Sequence, residues 1–140
     1  MDKSRRIVMV TGCSSGIGRA AALQLANYGF QVFAGVRREQ HLDNLLDLKR
    51  SNLVPILLDV TQDDDAARAV ATIEKDCPQG LFGLVNNAGV GLPAAVELSH
   101  LDEVRQLFEV NTVAPLRMIQ HCLPLLRKTR GRVINMSSMN

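Results

Sequence analysis

Short apolar runs alternate along this chain with longer stretches in which apolar residues recur every three or four positions. The short runs are rich in β-branched residues and predict strands, and the periodic stretches predict helices. The predicted strands are Ile7–Val10, Gln31–Val36, 54–58, 81–85 and 132–136. The predicted helices are 15–28, 39–50, about 61–76 and about 99–128. Apolar strands that alternate with helices indicate an α/β fold, with a parallel sheet and right-handed crossovers.

Residues at the element boundaries refine this prediction. Pro55 cannot donate a ladder hydrogen bond, so the third strand is expected at a sheet edge. Thr61 is a candidate cap for the third helix, which has acidic residues in its first turn. Ser99 and Asp102 have the spacing of a capping box, which predicts the start of one long helix.

Small and polar residues follow every predicted strand. They are Thr11-Gly12, Arg37-Arg38, Asp59-Val60, Asn86-Asn87-Ala88-Gly89 and Ser137-Ser138. The carboxyl ends of parallel strands share one edge of a sheet, and ligands bind there in α/β folds. We therefore expect the functional residues to gather along this edge.

The first strand leads into a turn with three glycines, Gly12, Gly16 and Gly18. Backbone N–H groups and the helix dipole favour an anion at the start of the helix that follows. Glycines allow a tight turn, close approach of a pyrophosphate and close packing of helix on strand. The turn predicts a phosphate site, and an ordinary strand–helix connection is the alternative interpretation.

The second strand ends about twenty residues later, where an acidic residue would bind a ribose 2′-hydroxyl and an Arg would suit a 2′-phosphate. This chain has Arg37 and Arg38 there. The residue types therefore predict NADP(H) rather than NAD(H). The alternative is that both side chains are simply solvated.

Two further strand ends each allow two interpretations. Asp59 is suited to accept a hydrogen bond from an adenine amino group, and equally suited to cap a helix. The segment Asn86-Asn87-Ala88-Gly89 combines amide groups with little bulk. It fits a backbone lying against a flat ligand, and it is also acceptable as a plain turn.

Asn111 lies in an apolar helical stripe and therefore needs a hydrogen-bonding partner. Pro115, four residues on, has no N–H, so an uninterrupted helix would leave the Asn111 carbonyl without its donor. An inward carbonyl of this kind is a good water site. The alternative is a kinked core helix in which the Asn is satisfied.

Composition narrows the functional classes. The 140 residues have a net charge of +2, with 46% hydrophobic and 21% charged residues, which is typical of one soluble globular domain. This charge argues against nucleic-acid binding, and the basic cluster at 127–132 is read as the cationic end of a helix. Three widely spaced cysteines predict neither disulfides nor a metal site, and favour a reducing, cytoplasmic setting. No signal peptide or membrane span is predicted.

Together these residues resemble the short-chain dehydrogenase/reductase family, from the glycine turn through Asn86-Asn87-Ala88-Gly89 and Asn111 to Asn135-Met136-Ser137-Ser138. The resemblance implies a Rossmann-type doubly wound sheet of order 3-2-1-4-5 and a nicotinamide cofactor, NADP before NAD. The cofactor-binding residues it implies are Thr11, Gly12, Ser14, Ser15, Gly16, Ile17, Gly18, Arg37, Asp59, Val60, Asn87, Ala88 and Gly89. The catalytic residues it implies are Asn111, which holds a relay water through its carbonyl, and Ser138, which polarises the substrate oxygen.

The family resemblance also implies hydride transfer between the nicotinamide and a carbonyl or secondary alcohol. Segments 81–85 and 123–126 are similar to the branch that handles retinol and hydroxysteroids, which hints at a lipophilic substrate. The full-length form is expected to be a homodimer or homotetramer.

The sequence departs from the family after Ser138. A Tyr-x-x-x-Lys motif is expected about a dozen residues later, but the only Tyr is Tyr28. Residues 1–140 therefore read as an incomplete NAD(P)-binding domain, inactive alone, with its fifth strand as an exposed apolar edge. A non-catalytic nucleotide sensor or interaction module is the alternative, and a third possibility is that the segment does not fold alone.

Overall fold

A computed structural model describes residues 6–138 of the chain. The strands are β1 (Ile7–Val10), β2 (Gln31–Val36), β3 (Leu53–Leu57), β4 (Gly83–Asn86) and β5 (Arg132–Asn135). The helices are α1 (Gly16–Asn27), α2 (Glu39–Leu46), α3 (Asp63–Asp76), α4 (Leu101–Phe108) and α5 (Ala114–Thr129). A 3₁₀ turn at Val96–Leu98 precedes α4, and a π-helical segment at Glu109–Val113 joins α4 to α5. The proposed domain also includes residues 1–5 and 139–140, which lie outside the described residues.

All five strands are parallel, in the order β3-β2-β1-β4-β5. Val8 of β1 pairs with Val32 on one side and with Gly83 on the other. The strand order therefore runs outward from β1 in both directions, to β3 on one side and to β5 on the other. A crevice forms beyond the carboxyl ends of the strands at the point where the strand order reverses. The predicted sheet order is confirmed, and Pro55 lies in the edge strand β3, as expected.

Helices cover both faces of the sheet because successive residues of a strand point to opposite sides. Met9 packs into one core with Ile73 of α3 and Met118 of α5. Its neighbour Val10 packs into the other core with Ala22 of α1. This two-sided burial explains why β1 is apolar at every position, and it confirms the doubly wound α/β class.

The predicted long helix over 99–128 is interrupted. The π-helical segment separates α4 from α5, and Pro115, in the first turn of α5, has no N–H to donate to the preceding helical turn. The predicted capping box is also wrong, because His100 occupies the N-cap position and no side chain caps the helix. Ser99 instead donates its hydroxyl to the Ala95 carbonyl at 3.0 Å, within the preceding turn.

Two other helix boundaries differ from the prediction. The second helix ends at Leu46 rather than at residue 50, and Lys49 adopts a left-handed conformation with φ 48°. Thr61 does not cap α3: Gln62 holds the N-cap position, and the Thr61 hydroxyl donates to Asp59 Oδ1 at 2.7 Å. A local side-chain bond has thus taken Thr61 away from the role that its residue type suggested.

Two apolar surfaces face solvent in the described structure. All four residues of β5 are exposed, as expected for an outer strand. Helix α4 has no buried residue, and its Leu101 and Phe108 are 69% and 58% exposed. Among the helices described, none is long and apolar enough to cross a membrane.

Candidate functional site

A cleft of about 390 Å³ opens at the carboxyl edge of the sheet. Eleven of the residues predicted to bind a cofactor line it: Gly12, Ser14, Ser15, Ile17, Gly18, Arg37, Asp59, Val60, Asn87, Ala88 and Gly89. The structure thus brings together the ends of β1, β2, β3 and β4, which are far apart in the sequence. Among the described residues, Thr11, Gly16, Asn111 and Ser138 do not line this cleft.

Geometry explains why the turn after β1 needs its glycines. Gly12 has φ 69°, and a Cβ there would lie 2.8 Å from the Ala88 Cα. A Cβ at Gly18 would overlap the Gly12 carbonyl and the Asn87 amide nitrogen. Gly16 has φ 57° and no atom within 4 Å of an added Cβ, so its backbone is open to solvent at the start of α1. An anion can therefore approach the backbone N–H groups at this helix start.

Thr11 and Asn87 hold the two loops of the cleft together. The Thr11 hydroxyl accepts hydrogen bonds from the N–H groups of Asn87 and Ala88, both at 3.0 Å. The Asn87 amide donates to the carbonyls of Thr11 and Gly12, both at 3.1 Å. Thr11 is buried and fixes the loops that line the cleft, and its predicted contact with a cofactor stays a prediction.

Cys13 lies within the glycine turn but points away from the cleft. Its thiol is buried and donates to the Val10 carbonyl at 3.2 Å. Burial raises the pKa of the Cys13 thiol to about 12, so the sulfur stays protonated near neutral pH. Ser14 and Ser15, which follow it, are exposed and line the cleft.

The end of β2 places Arg37 on the cleft. Val36 is buried and also lines the cleft, whereas the Arg37 side chain is exposed. Arg38 is the N-cap residue of α2 and is exposed as well. A cation therefore lies beside the glycine turn, where a second anionic group of a ligand would meet it.

One of the two interpretations of Asp59, a helix cap, is wrong, because Gln62 holds the N-cap position of α3 and Asp59 forms a local turn instead. Its Oδ1 accepts from the Thr61 N–H at 2.9 Å and from the Thr61 hydroxyl at 2.7 Å. Its own N–H donates to Asp65 Oδ2 at 3.0 Å. Asp59 also lines the cleft, so its contact with an adenine group stays a prediction.

Asn111 is exposed, so the prediction that it lies within a buried apolar stripe is wrong. The π-helical segment rotates the helix faces out of the 3.6-residue register on which the stripe was based. The Asn111 amide donates to the Val90 carbonyl at 2.8 Å and accepts from the Val90 N–H at 2.9 Å. The expected partner therefore exists, and it is a main-chain segment that lines the cleft.

Ser138 follows β5 and is exposed. Two further hydrogen bonds join the end of β5 to β4. The Asn86 side-chain amide donates to Asn135 Oδ1 at 2.9 Å, and the Met136 N–H donates to the Asn86 carbonyl at 2.9 Å. Asn86 is buried, which makes this junction rigid. The β4–β5 junction thus connects the segment that bears Ser138 to the loop that lines the cleft.

Sequence reasoning missed the apolar part of the cleft. Val36, Leu58, Val90 and Val110 line it together with Thr61. Each is close in sequence to a predicted residue, but an apolar side chain at a strand end reads as core. With Val60 they provide a surface for a flat ring, beside the polar groups that suit phosphates.

The described residues include no group of three or more His, Cys, Asp or Glu side chains that would hold a metal ion. The cleft instead combines an anion-binding helix start, a nearby guanidinium and an apolar slot. This set of groups fits a dinucleotide, which carries phosphates and flat rings.

A family model described as short chain dehydrogenase matches residues 6–140. The chain therefore belongs to the short-chain dehydrogenase family, whose members are oxidoreductases that use a nicotinamide cofactor. The five-stranded parallel sheet and the cleft at its carboxyl edge agree with this assignment.

Individual relatives resemble the chain over nearly all of its length. The short-chain dehydrogenase PC-15 of Penicillium crustosum is 44% identical over 138 residues, covering 96% of this chain and 49% of that protein. Retinol dehydrogenase 5 of Homo sapiens is 39% identical over 141 residues, covering 99% of this chain and 44% of that protein. The chain thus spans about half the length of these curated relatives.

A solved structure of an NADPH-bound carbonyl reductase from chicken fatty liver superposes on this chain with a TM-score of 0.88. The two are 31% identical, and the match covers 95% of this chain and 59% of that one. This similarity places the chain among Rossmann-like structures of the family.

Proposed function

We propose that this chain binds NADP(H) in the cleft and forms the cofactor-binding part of an NADP(H)-dependent oxidoreductase. The reaction is hydride transfer between the nicotinamide and a carbonyl or secondary alcohol, and the bound cofactor supplies or accepts the hydride. The observation that carries the NADP(H) preference is Arg37, an exposed guanidinium on the cleft where an acidic residue would favour NAD(H).

Each part of the cleft has a role in this proposal. The start of α1, where Ser15 and Ile17 line the cleft, binds the pyrophosphate, and Arg37 binds the 2′-phosphate. The apolar slot at Val60 and Val110 binds the adenine ring, with Asp59 at its edge. Asn87, Ala88 and Gly89 lie against the nucleoside.

The catalytic roles of two residues outside the cleft are also proposals. Ser138 would donate a hydrogen bond to the substrate oxygen, and the Asn111 carbonyl would hold a relay water. The side chain of Asn111 is engaged with Val90, which supports a role for its main chain rather than its amide.

Turnover also needs a group that gives or takes the hydroxyl proton, and general acid–base catalysis typically contributes 10²–10⁴-fold. The one tyrosine, Tyr28, lies beyond the end of α1 and is 58% exposed, away from the cleft. We therefore expect these 140 residues to bind the cofactor without turnover, and a form that also carries Tyr-x-x-x-Lys to be active. A nucleotide sensor would bind the cofactor equally well but would have no active longer form.

The substrate and assembly of the complete enzyme follow as broader proposals. A small alcohol or carbonyl compound of lipophilic character fits the similarity to retinol dehydrogenase 5. Homodimer or homotetramer assembly fits the exposed apolar residues of α4, and a cytoplasmic setting fits the three unpaired cysteines.

The test of the cofactor preference replaces Arg37 by Asp. We expect the Kd for NADPH to rise about 10- to 100-fold, because charge-assisted bonds to the 2′-phosphate are lost, while the Kd for NADH changes less than about twofold. Fluorescence titration of the purified protein with each nucleotide measures both constants. Arg127→Asp makes the same charge change on an exposed residue of α5 and is the matched control. An unchanged NADPH/NADH ratio in Arg37→Asp would contradict the assignment.

A further inference from the structure

Arg117 of α5 is not among the residues predicted for the site, yet it bonds to two elements of the cleft. Its Nη1 donates to the Val60 carbonyl at 2.9 Å. Its Nη2 donates to Glu109 Oε1 at 2.8 Å. The Arg117 side chain is 18% exposed and the Glu109 side chain 34%, so both bonds are partly shielded from water.

These two bonds connect two segments that contribute to the apolar slot. Val60 follows β3, and Val110, the neighbour of Glu109, lies in the π-helical segment. Both valines are buried and line the cleft. A guanidinium is planar and its donors have a fixed geometry, so one side chain that reaches both elements defines their separation.

The Leu58 N–H donates to the Val36 carbonyl at 2.8 Å, which joins the start of the loop after β3 to β2, and the other polar contacts of this loop are local. Thr61 bonds to Asp59, and the Asp59 N–H donates to Asp65 at the start of α3. The Arg117 bond instead ties this loop to α5. Val60 and Val110 pack into the same apolar core, and Arg117 adds the polar contacts that join their two segments.

We propose that Arg117 is a positioning residue for the nucleotide: it sets the width of the slot between Val60 and Val110, and thereby the affinity for the adenine end of the cofactor. This inference rests on the proposed function, which places the adenine ring in that slot. Arg117 itself does not line the cleft among the described residues, so it acts through Val60 and Glu109.

A peripheral ion pair provides a matched control. Arg117 Nε lies 3.9 Å from Asp63 Oδ1, which also bonds to His121 Nε2 at 2.8 Å. The Asp63 side chain is 72% exposed, and exposed ion pairs contribute little. Asp63→Asn thus removes a charge beside Arg117 and leaves its bonds to Val60 and Glu109 in place.

The experiment measures binding of adenosine 2′,5′-bisphosphate, which lacks the nicotinamide, by isothermal titration calorimetry. Circular dichroism establishes that each variant is folded at the temperature used. We expect Arg117→Met to raise the Kd about tenfold and Asp63→Asn to change it less than about twofold. Arg117→Lys should fall between Arg117→Met and the unaltered protein, because a single ammonium reaches one of the two acceptors.

Wild-type affinity in Arg117→Met would overturn the positioning role, and so would an equal loss in Asp63→Asn. If Arg117→Met does not fold, Glu109→Met removes one of the two anchored acceptors. We expect it to raise the Kd about fivefold, and an unchanged Kd there would overturn the proposal. If the unaltered protein binds neither the bisphosphate nor NADPH, it is the proposed function that fails.

Discussion

Several residues that a nucleotide-binding motif suggests as ligand contacts have another role here, because they build the cleft. The Thr11 hydroxyl is the shared acceptor for the N–H groups of Asn87 and Ala88. The Asn87 amide returns two bonds to the carbonyls of Thr11 and Gly12. The glycine turn and the loop after β4 are therefore locked together before any ligand binds.

Thr11→Val tests this lock, because valine keeps the shape of the side chain and removes the hydroxyl. Two N–H groups beside a buried position lose their acceptor, so we expect the free energy of unfolding to fall by about 2–4 kcal/mol. Urea unfolding followed by circular dichroism measures the change. Thr11→Ser keeps the hydroxyl and should cost clearly less; equal losses in both variants would show that the methyl group, and not the bonds, carries the effect.

At the scale of elements, the corner between α5 and β5 fixes the outer strand against β4. Helix α5 ends at Thr129, and its C-cap residue Arg130 adopts a left-handed conformation with φ 52°. The next residue, Gly131, bonds to the Leu126 carbonyl at 2.8 Å, and a Cβ there would overlap the Leu81 carbonyl. The corner thus needs a glycine at 131, where it has one, and favours a glycine at 130, where it has none.

Replacing Arg130 by Gly should therefore stabilise the protein. A left-handed residue with a Cβ costs about 1–2 kcal/mol, and the extra backbone entropy of glycine offsets part of the gain. We expect the free energy of unfolding to rise by about 0.5–1 kcal/mol in a urea titration. Arg130→Ala removes the charge but keeps the Cβ, so it should bring no such gain. A similar increase in the alanine variant would mean that charge, rather than backbone conformation, is responsible.

At the scale of the whole molecule, the sheet separates two cores that each contain a buried thiol. Cys13 lies in the core under α1 and α2, and Cys122 in the core under α3 and α5. Burial raises the pKa of the Cys13 and Cys122 thiols from 9.0 to about 12. The folded chain keeps both thiols protonated at a pH where the unfolded chain ionises them.

Alkaline pH should therefore destabilise the fold. Below pH 9 both states are protonated, and each thiol leaves the free energy of unfolding unchanged. As the pH rises from 9 towards 12, each thiol lowers the free energy of unfolding by about 1.4 kcal/mol per pH unit. Urea unfolding from pH 8 to pH 11 should give a shallower decline for Cys122→Ala than for the unaltered protein. Met118→Leu, which changes the same core without removing a thiol, should keep the original slope. Equal slopes for all three proteins would contradict this account.

Much of the fold was predictable because it depends on local patterns. The strands β1 and β2 begin and end where their apolar runs do, and eleven predicted cofactor residues meet at one cleft. The strand ends were informative because parallel strands direct all their carboxyl ends to one edge. The sheet order followed from the family resemblance rather than from the periodicity.

The errors lie where a distant contact decides between local alternatives. The stripe from 104 to 126 is continuous in sequence, yet the chain forms a π-helical segment and exposes Asn111, whose amide binds Val90. The spacing of Ser99 and Asp102 predicted a helix cap, but the Ser99 hydroxyl donates to the Ala95 carbonyl instead. No pattern in the sequence indicated a role for Arg117 at the cleft, because one of its two acceptors is the main-chain carbonyl of Val60, 57 residues away.

The sequence by itself determined the α/β class and the approximate positions of the strands, because apolar periodicity and glycine or proline positions act over a few residues. The fourth strand was predicted at 81–85 but lies at Gly83–Asn86, and the third lies at Leu53–Leu57 rather than at 54–58. Only the tertiary structure decided which of those residues line the cleft and which hold it together. The Thr11 hydroxyl accepts from the Asn87 N–H, and Asn111 Oδ1 accepts from the Val90 N–H. Arg117 donates to the Val60 carbonyl. The physical reason is that a buried polar group must find a partner, and the partners here come from elements that meet only in the folded chain.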